Sequence, residues 1–511
     1  MKFNYLIAGA LWLLTSCQKR NRVNDIDAGP QKISVADINA TILQSVQSKG
    51  SFGWRDAEIS LVWNALSQSD SILSVGYCLP GQKNIESALA SISLGDPQWL
   101  DAKEKVLSLI FEEESVSGNV HSKNELIVWE ENYLPVVDVK VTSFKTLQKL
   151  LASEYVRYAE PMGFDYSSIA ADGKINSDTG CDNNFPDYQL FLYSHYTSVL
   201  PNAKASWNYA PHGITEAWDR CSGAGVKVFL IDTGIDPNQE NLGSSFNQGY
   251  SNGRTIEKIV TLPRNTFLGF PIGPVETPAD LCGHGTMMAG VLSAPRGRDG
   301  NAAGVAYNCN LVACRAAANV FIDESREVKG VADAFVNAAN RADVKIISMS
   351  MGRISSSSQI SDAIKYAYQK GKLIYCAAGT SMTWTAGWAG VIFPASMNEV
   401  QAVTGVKEYT NFVACDNCHK GAEVDFVVVM ERAADKRHPL TLASFGDTPS
   451  TVGGSSVSTA TMAGISALLW SKYPSYTREQ IVQKLQRYSS FYPIKSSLWG
   501  WGTVQINFAT L

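Results

Sequence analysis

Three short motifs in the second half of the chain carry side chains that could form and break covalent bonds. Asp232 lies in IDTGID, His284 lies in CGHGTMMAGVL, and the stretch GGSSVSTATMAG at Gly453–Gly464 holds three serines and two threonines. An exposed serine becomes a nucleophile only when a base and an orienting carboxylate lie beside it. The motifs supply all three groups. They also permit a structural interpretation, in which Asp232 caps a turn, His284 is incidental, and the small residues form a helix that packs closely against a sheet.

The elements that would position these motifs alternate between buried strands and helices from about residue 205 onward. Helices are predicted at 328–342 and 358–371. Short apolar runs are typical of central parallel strands, which are covered on both faces. The runs are VKVFLI at Val226–Ile231, KIISMS at Lys345–Ser350, KLIYCAA at Lys372–Ala378 and VQAVTGV at Val400–Val406. This alternation predicts an α/β fold with a doubly wound, mostly parallel sheet and helices on both faces. In such folds sites gather at the carboxyl ends of strands, and Asp232 directly follows the first run.

Taken in the order Asp, His, Ser, the motifs resemble those of the subtilisin-like serine proteases, the subtilases. IDTGID resembles the family's aspartate motif, GHGTMMAG resembles Gly-His-Gly-Thr-His-Val-Ala-Gly, and GSSVSTATMAG resembles Gly-Thr-Ser-Met-Ala-Thr-Pro-His-Val-Ala-Gly. Aligned residue by residue, Ser456 takes the place of the nucleophile, while Ser455 replaces a threonine and Ser458 an alanine. The resemblance covers roughly residues 205 to 511. It implies a catalytic set made of Asp232, His284 and Ser456.

The resemblance also implies an oxyanion hole and a peptide-binding edge. The backbone N–H of Ser456, at the start of a helix, is one oxyanion donor. Most subtilases place an asparagine after Ala-Ala-Gly as the second donor, whereas CAAGTSM places Thr380 there, whose hydroxyl reaches less far than an amide. Arg353 stands where the family has a glycine. We expect it either to narrow the first specificity pocket for the substrate or to favour an acidic partner there; the alternative is that it points to solvent. The residues implied to bind substrate, where a peptide would add as a strand, are Ser350, Met351, Gly352, Ala378 and Gly379.

The first residues predict export. MKFNYLIAGALWLLTSC has one early lysine, an apolar core from Leu6 to Leu14 and small polar residues, which is typical of a secretory signal. LTSC, at 14–17, resembles the lipobox of bacterial lipoproteins, in which the cysteine becomes the lipidated first residue of the mature protein. We therefore predict a signal peptide at 1–17 and lipidation at Cys17; the alternative is an ordinary cleaved signal with an incidental cysteine.

Between the signal and the catalytic motifs, the pattern predicts a smaller helical or α+β region at 18–165. Residues from about 34 to 120 are predicted to be helical, followed by two strands, a helix at Thr146–Leu151 and a strand near Tyr155–Ala159. The end of this region, with YVRYAEP, resembles the last strand of a subtilase propeptide, which helps the catalytic domain to fold and inhibits it; a permanent accessory domain is the alternative. Residues 166–200 are predicted to be a linker, and 201–511 the catalytic domain.

Composition excludes some classes of function and cofactor. The net charge of −5 has no long basic run, which argues against nucleic acid as the main partner. Besides Cys17 there are nine cysteines, an odd number that leaves at least one thiol free. CDNC, with Cys415 and Cys418, favours a local disulfide or two structural cysteines over a zinc site. No cofactor is predicted to be required. Structural calcium is compatible with the family, and Asp236 with Asn241 lies in a loop that could contribute, but no metal residue is assigned.

The prediction for function is a serine endopeptidase that hydrolyses peptide bonds through an acyl-enzyme. We expect an exported bacterial protein anchored by lipid to the cell envelope, facing the periplasm or at the cell surface, with a protein or peptide as substrate. Its own propeptide is the expected inhibitor. The alternative is a catalytically silenced, peptide-binding surface protein on the same scaffold.

Overall fold

The computed structural model describes residues 29–117, 120–164, 166, 181, 184–267, 270–379, 390–416 and 418–511. The predicted signal and Cys17 lie outside these residues. Within the described ranges, none of the helices has the length and apolar character needed to span a membrane.

An N-terminal unit is built on an antiparallel sheet. Its elements are α1 (Val35–Lys49), α2 (Ile59–Ser67), β1 (Ile72–Tyr77), α3 (Pro97–Glu114), β2 (Ile127–Glu130), β3 (Val136–Lys140), α4 (Phe144–Ala152) and β4 (Val156–Pro161). The strand order is β2-β3-β1-β4, and all neighbouring strands are antiparallel. The predicted sequence of strand, strand, helix and strand after residue 120 agrees with β2, β3, α4 and β4.

The prediction of an all-helical stretch from 34 to 120 was wrong at β1. All six residues of Ile72–Tyr77 are buried, and the strand lies between β3 and β4 in the sheet. A short, fully buried apolar run shows no alternation that separates a strand from a helix, so periodicity alone could not assign it. The predicted helix around NIESALASISLG is also reduced, to a single 3-10 turn at Leu89–Ser91.

A seven-stranded parallel sheet forms the centre of the second unit and confirms the predicted α/β fold. Its strands are β5 (Lys227–Asp232), β6 (Ile256–Val260), β7 (Asn310–Arg315), β8 (Val344–Met349), β9 (Leu373–Ala377), β10 (Gln401–Lys407) and β11 (Val424–Glu431). Their order across the sheet is β11-β10-β9-β8-β5-β7-β6, and every neighbouring pair is parallel. Parallel neighbours need long crossover connections, and the helices His284–Ser293, Ser325–Asn340 and Ser358–Gln369 lie in three of them.

Helices cover both faces of this sheet. They are α5 (His284–Ser293), α6 (Ser325–Asn340), α7 (Ser358–Gln369), α8 (Gly454–Lys472) and α9 (Arg478–Arg487). Side chains of a strand alternate between faces, so Val228 and Leu230 of β5 join the core that contains α5 and α8, whereas Phe229 and Ile231 join the core of α6 and α7. The helices that carry the histidine and serine motifs thus share one face of the sheet. Shorter pieces complete the unit: hairpins at Tyr196–Val199 with Ala203–Ser206 and at Leu440–Leu442 with Pro449–Thr451, and helical turns at Ile214–Ala217 and Ile506–Ala509.

The N-terminal unit packs on the opposite face, against α6 and α7, and shares one continuous apolar core with them. Polar contacts cross the same interface. Arg157 of β4 forms a buried ion pair with Asp362 of α7, with nitrogen–oxygen distances of 2.8 and 3.1 Å. Glu160 accepts a hydrogen bond from the Ser358 backbone N–H at 2.9 Å, at the first turn of α7. A carboxylate there compensates the unpaired amides and the positive end of the helix dipole.

Candidate active site

Asp232 and His284 meet at the carboxyl edge of the sheet. Asp232 is the last residue of β5 and His284 the first of α5, and the carboxylate oxygen Oδ1 lies 2.8 Å from the imidazole Nδ1. Both side chains are buried, with exposed fractions of 1% and 3%. Because an ionised carboxylate only accepts hydrogen bonds, Nδ1 carries the hydrogen in this pair. The tautomer leaves Nε2 with a lone pair that can take a proton from another group.

Asp280, which the sequence analysis did not identify, braces the start of α5. Its buried carboxylate accepts hydrogen bonds from the backbone N–H groups of Cys282 and Gly283 at 3.0 and 2.7 Å, and from Thr286 N–H and Oγ1 at 2.9 and 2.7 Å. It also accepts from Thr233 Oγ1 at 2.9 Å, next to Asp232. Asp280 therefore links the aspartate motif to the histidine motif. An aspartate four residues before the histidine was the only signal in the sequence.

Glycines allow the two motifs to approach each other. A Cβ atom on Gly285 would lie 2.2 Å from the carbonyl oxygen of Gly234, so only glycine fits at position 285 without moving the backbone. Gly234 has a φ of 115°, a conformation that side chains other than hydrogen rarely adopt. The Gly285 N–H also donates to Thr233 Oγ1 at 2.9 Å. Glycine is thus required next to His284 because the backbones of Gly285 and Gly234 are in contact.

Ser456 is the third residue of α8, so its N–H belongs to the first turn, where amides have no partner within the helix. Its Oγ donates to the carbonyl oxygen of Ser350 at 3.2 Å, and Ser350 Oγ donates to the carbonyl oxygen of Ser456 at 3.0 Å. α8 packs against α5, the helix of His284. The fold therefore brings the serine motif to the face and edge of the sheet where the Asp232–His284 pair lies. By contrast, the hydroxyl of Ser458 is fully buried in the helix packing.

The predicted substrate-binding residues divide into two strand ends. Ser350, Met351 and Gly352 follow β8, and the backbone N–H and C=O of Gly352 pair with Val320 at 3.3 Å and Ile322 at 3.0 Å. Ala378 and Gly379 follow β9, and the Gly379 N–H donates to Ser455 Oγ at 3.2 Å. Thr380 lies outside the described residues.

Arg353 is buried, which corrects the alternative that it points to solvent. Its side chain is 1% exposed, and the guanidinium donates to the carbonyl oxygen of Met162 at 3.4 Å and to Ser355 Oγ at 3.0 Å. The arginine at this family glycine position therefore reaches the N-terminal unit.

The structure confirms a local disulfide between Cys415 and Cys418. The next residue, His419, is buried against Gly379, where a Cβ atom on the glycine would lie 2.4 Å from the imidazole Nδ1. Burial lowers the pKa of His419 to about 4, so the ring is neutral at ordinary pH. In the described part of the chain, no group of three or more His, Cys, Asp or Glu side chains is placed to hold a metal ion.

A second disulfide, Cys181–Cys282, was not predicted, although both cysteines were noted. Cys282 lies two residues before His284, and its partner precedes it by 101 residues. The bond therefore links the segment after the N-terminal unit to the loop that leads into the motif of His284. The other cysteines in the described ranges are free thiols: Cys78, Cys221, Cys309, Cys314 and Cys376.

Replacing Cys181 and Cys282 together by serine is expected to lower the free energy of unfolding by about 2–5 kcal/mol, because the cross-link removes the closure entropy of a long loop from the unfolded state. Replacing Cys415 and Cys418 is the matched control, since that bond closes a loop of only a few residues and should contribute less. Urea unfolding of both variants under oxidising conditions measures the difference. An unchanged urea midpoint for the Cys181/Cys282 variant would contradict the prediction.

Comparisons with known proteins show the family and the fold that this chain is similar to. A model of the subtilase family matches residues 223–502. A subtilisin from Bacillus sp. (strain TA39) is 25% identical over 321 residues, covering 59% of this chain and 71% of that protein. A thermophilic serine proteinase from Bacillus sp. (strain AK1) is 28% identical over 376 residues, covering 73% of this chain and 76% of that protein. The crystal structure of fervidolysin from Fervidobacterium pennivorans matches in fold, with a TM-score of 0.57 and 19% identity over 86% of this chain and 61% of that one.

Proposed function

The chain belongs to the subtilase family and is a serine-type endopeptidase, and we propose that it cleaves peptide bonds through an acyl-enzyme formed on Ser456. The observation that carries the proposal is the buried Asp232–His284 hydrogen bond of 2.8 Å, which holds the imidazole with Nε2 as a base. Ser456 is the serine that the family motif and the first turn of α8 favour as the nucleophile.

The proposed reaction has two halves. Ser456 Oγ attacks the carbonyl carbon of the substrate as its proton passes to His284 Nε2, and the carbonyl oxygen becomes an oxyanion. The C–N bond then breaks as His284 returns the proton to the leaving amine, which leaves an ester on Ser456. In the second half water replaces the amine and His284 again takes and returns a proton. Asp232 orients the imidazole and stabilises its cation throughout.

The oxyanion would be held by amides of the first turn of α8, including the Ser456 N–H, with help from the helix dipole. Thr380 stays a predicted second donor, outside the described residues.

A fluorophosphonate probe tests the active protease against the silenced alternative. We expect the protein to take up one equivalent of probe once its N-terminal unit, the proposed inhibitor, has been cut from the catalytic domain, and mass spectrometry of the digested protein to place the probe on the peptide that contains Ser456. A silenced protein would bind peptides but take up no probe. Full denaturation before labelling is the control, because the reactivity depends on the folded arrangement.

The N-terminal unit is proposed to be a propeptide-like inhibitor. Its shared core with α6 and α7 and the buried Arg157–Asp362 pair support a tight complex. Separation would expose this shared apolar core to water, so the unit is not expected to leave unless it is cut or unfolded.

Anchoring to the cell envelope through a lipidated Cys17 is also a proposal. We expect Cys17→Ser to move the protein from the membrane fraction to the soluble fraction. The variant loses the residue that would carry the acyl chains, and stable anchoring needs more than one such chain. Cell fractionation with mass spectrometry of the mature N-terminus measures this. A wild-type protein recovered soluble, with an unmodified N-terminus elsewhere, would contradict it. Since Cys17 precedes the N-terminal unit, a cut between that unit and Cys181 would leave the catalytic domain anchored only through non-covalent contacts, whereas after a cut beyond Cys181 the Cys181–Cys282 disulfide would still hold it.

A further inference from the structure

A loop that carries a buried disulfide packs against β10, at the side of the sheet next to the segment that follows β9. The chain turns back along β10, so that the Cys415 N–H donates to the carbonyl oxygen of Gly405 at 3.0 Å. The Cys418 N–H donates to the carbonyl oxygen of Cys415 at 3.1 Å, and both cysteines are buried. A Cβ atom on Gly405 would lie 3.0 Å from Cys418 Sγ, so the disulfide rests directly on this strand. The Cys415–Cys418 loop is therefore fastened to the sheet.

His419, the residue after this loop, is held through both of its backbone groups. Its N–H donates to the carbonyl oxygen of Gly379 at 3.0 Å, and its own carbonyl oxygen accepts a hydrogen bond from Thr404 Oγ1 on β10. The residue is buried. Its imidazole fills the space in which a side chain at position 379 would lie, since a Cβ atom there would be 2.4 Å from Nδ1. The loop therefore delivers one ring to one glycine.

Gly379 is a residue whose conformation depends on its neighbours. Its φ of 120° is one that other residues rarely adopt, and glycine itself has little preference for this value over others. Three contacts restrain it: the imidazole beside its Cα, the His419 N–H on its carbonyl oxygen, and Ser455 Oγ, which accepts from its N–H at 3.2 Å. Two of these three contacts come from His419.

Gly379 connects these contacts to the proposed chemistry. Its partner Ser455 directly precedes Ser456 in the first turn of α8, and Thr380, the predicted second oxyanion donor, directly follows Gly379 in the sequence. Donors stabilise an oxyanion when they are already placed where the charge develops, and a displacement of about 1 Å can cost roughly a hundredfold in rate. A residue that fixes the backbone at Gly379 therefore affects the stability of the transition state.

We infer that His419 is a positioning residue for the oxyanion side of the active site, and that the Cys415–Cys418 disulfide holds it in place. The inference rests on the proposed function, because it concerns the oxyanion that forms when Ser456 attacks the substrate. In this role the imidazole acts through Gly379 and not on the substrate itself.

Inhibition by a transition-state analogue tests this role. A peptide aldehyde adds to the serine hydroxyl and forms a tetrahedral adduct, whereas the matching peptide alcohol binds without forming one. Each variant is folded as the full chain, and its N-terminal unit is then cut off and removed. We expect His419→Ala to raise the Ki of the aldehyde about tenfold and to lower kcat to a similar extent, with KM and the Ki of the alcohol within about twofold of the parent. An unchanged Ki of the aldehyde would overturn the inference.

His212→Ala is the matched control for this experiment. His212 is also buried, and burial lowers the pKa of both histidines to about 4, so each variant removes a buried neutral ring. The ring of His212 bonds to the backbone of Val429 and Val504, which lie outside the candidate site. We expect this variant to unfold at lower urea concentration but to keep the parent's Ki for the aldehyde within about twofold. A rise in Ki equal to that of His419→Ala would overturn the inference, because the effect would then follow from the loss of any buried ring.

Replacing Cys415 and Cys418 together by serine tests the role of the disulfide, and this variant decides the inference if His419→Ala does not fold. The urea midpoint should change little, because the bond closes a short loop, whereas the Ki of the aldehyde should rise about threefold or more. An unchanged Ki would show that the disulfide does not hold His419 in place. A parent enzyme that hydrolyses no peptide and binds the aldehyde no better than the alcohol would refute the proposed function, and the inference with it.

Discussion

Replacing Ser456 by alanine is expected to lower kcat for peptide hydrolysis by about 10⁴-fold or more and to abolish labelling by a fluorophosphonate. The variant removes the only atom that can form the acyl-enzyme in the proposed mechanism, while the loss of one hydroxyl from the first turn of α8 leaves the fold intact. Any residual rate would come from binding and oxyanion stabilisation without a nucleophile. Steady-state hydrolysis of a fluorogenic peptide and gel-based probe labelling measure the two effects.

Ser458→Ala is the matched control for this experiment. The two serines lie two residues apart in the same helix, but the hydroxyl of Ser458 is buried in the packing of α8. We expect this variant to keep its labelling and most of its turnover. If labelling instead persists in Ser456→Ala and disappears in Ser458→Ala, the assignment of the nucleophile is wrong.

Asp232→Asn is expected to reduce kcat by about 10⁴-fold with little change in KM. Asparagine has nearly the same shape, but its amide can donate to Nδ1 of His284, which places the imidazole hydrogen on Nε2 and removes the base. The loss should be confined to steps in which the imidazole accepts a proton, so the rate of fluorophosphonate labelling should fall in parallel with kcat.

Asp236→Asn is the control for Asp232→Asn. Asp236 lies four residues further along the same motif, and its carboxylate accepts hydrogen bonds from Asn238. That variant should keep its turnover within a few-fold of the parent. A kcat for Asp232→Asn within tenfold of the parent would mean that His284 is oriented by another group and that the carboxylate has only a structural role.

One strand of the N-terminal unit both attaches the unit to α7 and positions the segment that follows it. The same strand that carries Arg157 into the ion pair with Asp362 leads directly to Met162, Phe164 and Tyr166, which lie along the proposed substrate edge. Attachment to α7 therefore holds the following segment in place at the edge. A substrate that competes with this segment must therefore displace a chain that is held by contacts with α7.

The class of this enzyme, a serine-type endopeptidase, was predictable from the sequence by itself, because the motifs that indicate it are local. Asp232, His284 and Ser456 each lie in a motif whose glycines and small residues are required by the turn or helix start that holds them. The alternation of apolar strands and amphipathic helices likewise predicted the parallel sheet, since the spacing of apolar residues that identifies each element is visible within a few residues. Neither depends on knowing which distant residue is the neighbour.

Only the tertiary structure decided the features that depend on residues far apart in the chain. β1 is a strand because β3 and β4 supply its hydrogen bonds, and nothing in Ile72–Tyr77 alone distinguishes it from a helix. The pairing of Cys181 with Cys282 was one of many combinations that the cysteine count allowed. Arg353 turns inward because the carbonyl oxygen of Met162, in the N-terminal unit, and Ser355 Oγ accept hydrogen bonds from its guanidinium. In each case the partner lies on another element, and the free energy that selects the arrangement comes from burial and hydrogen bonding that exist only once the two elements have packed together.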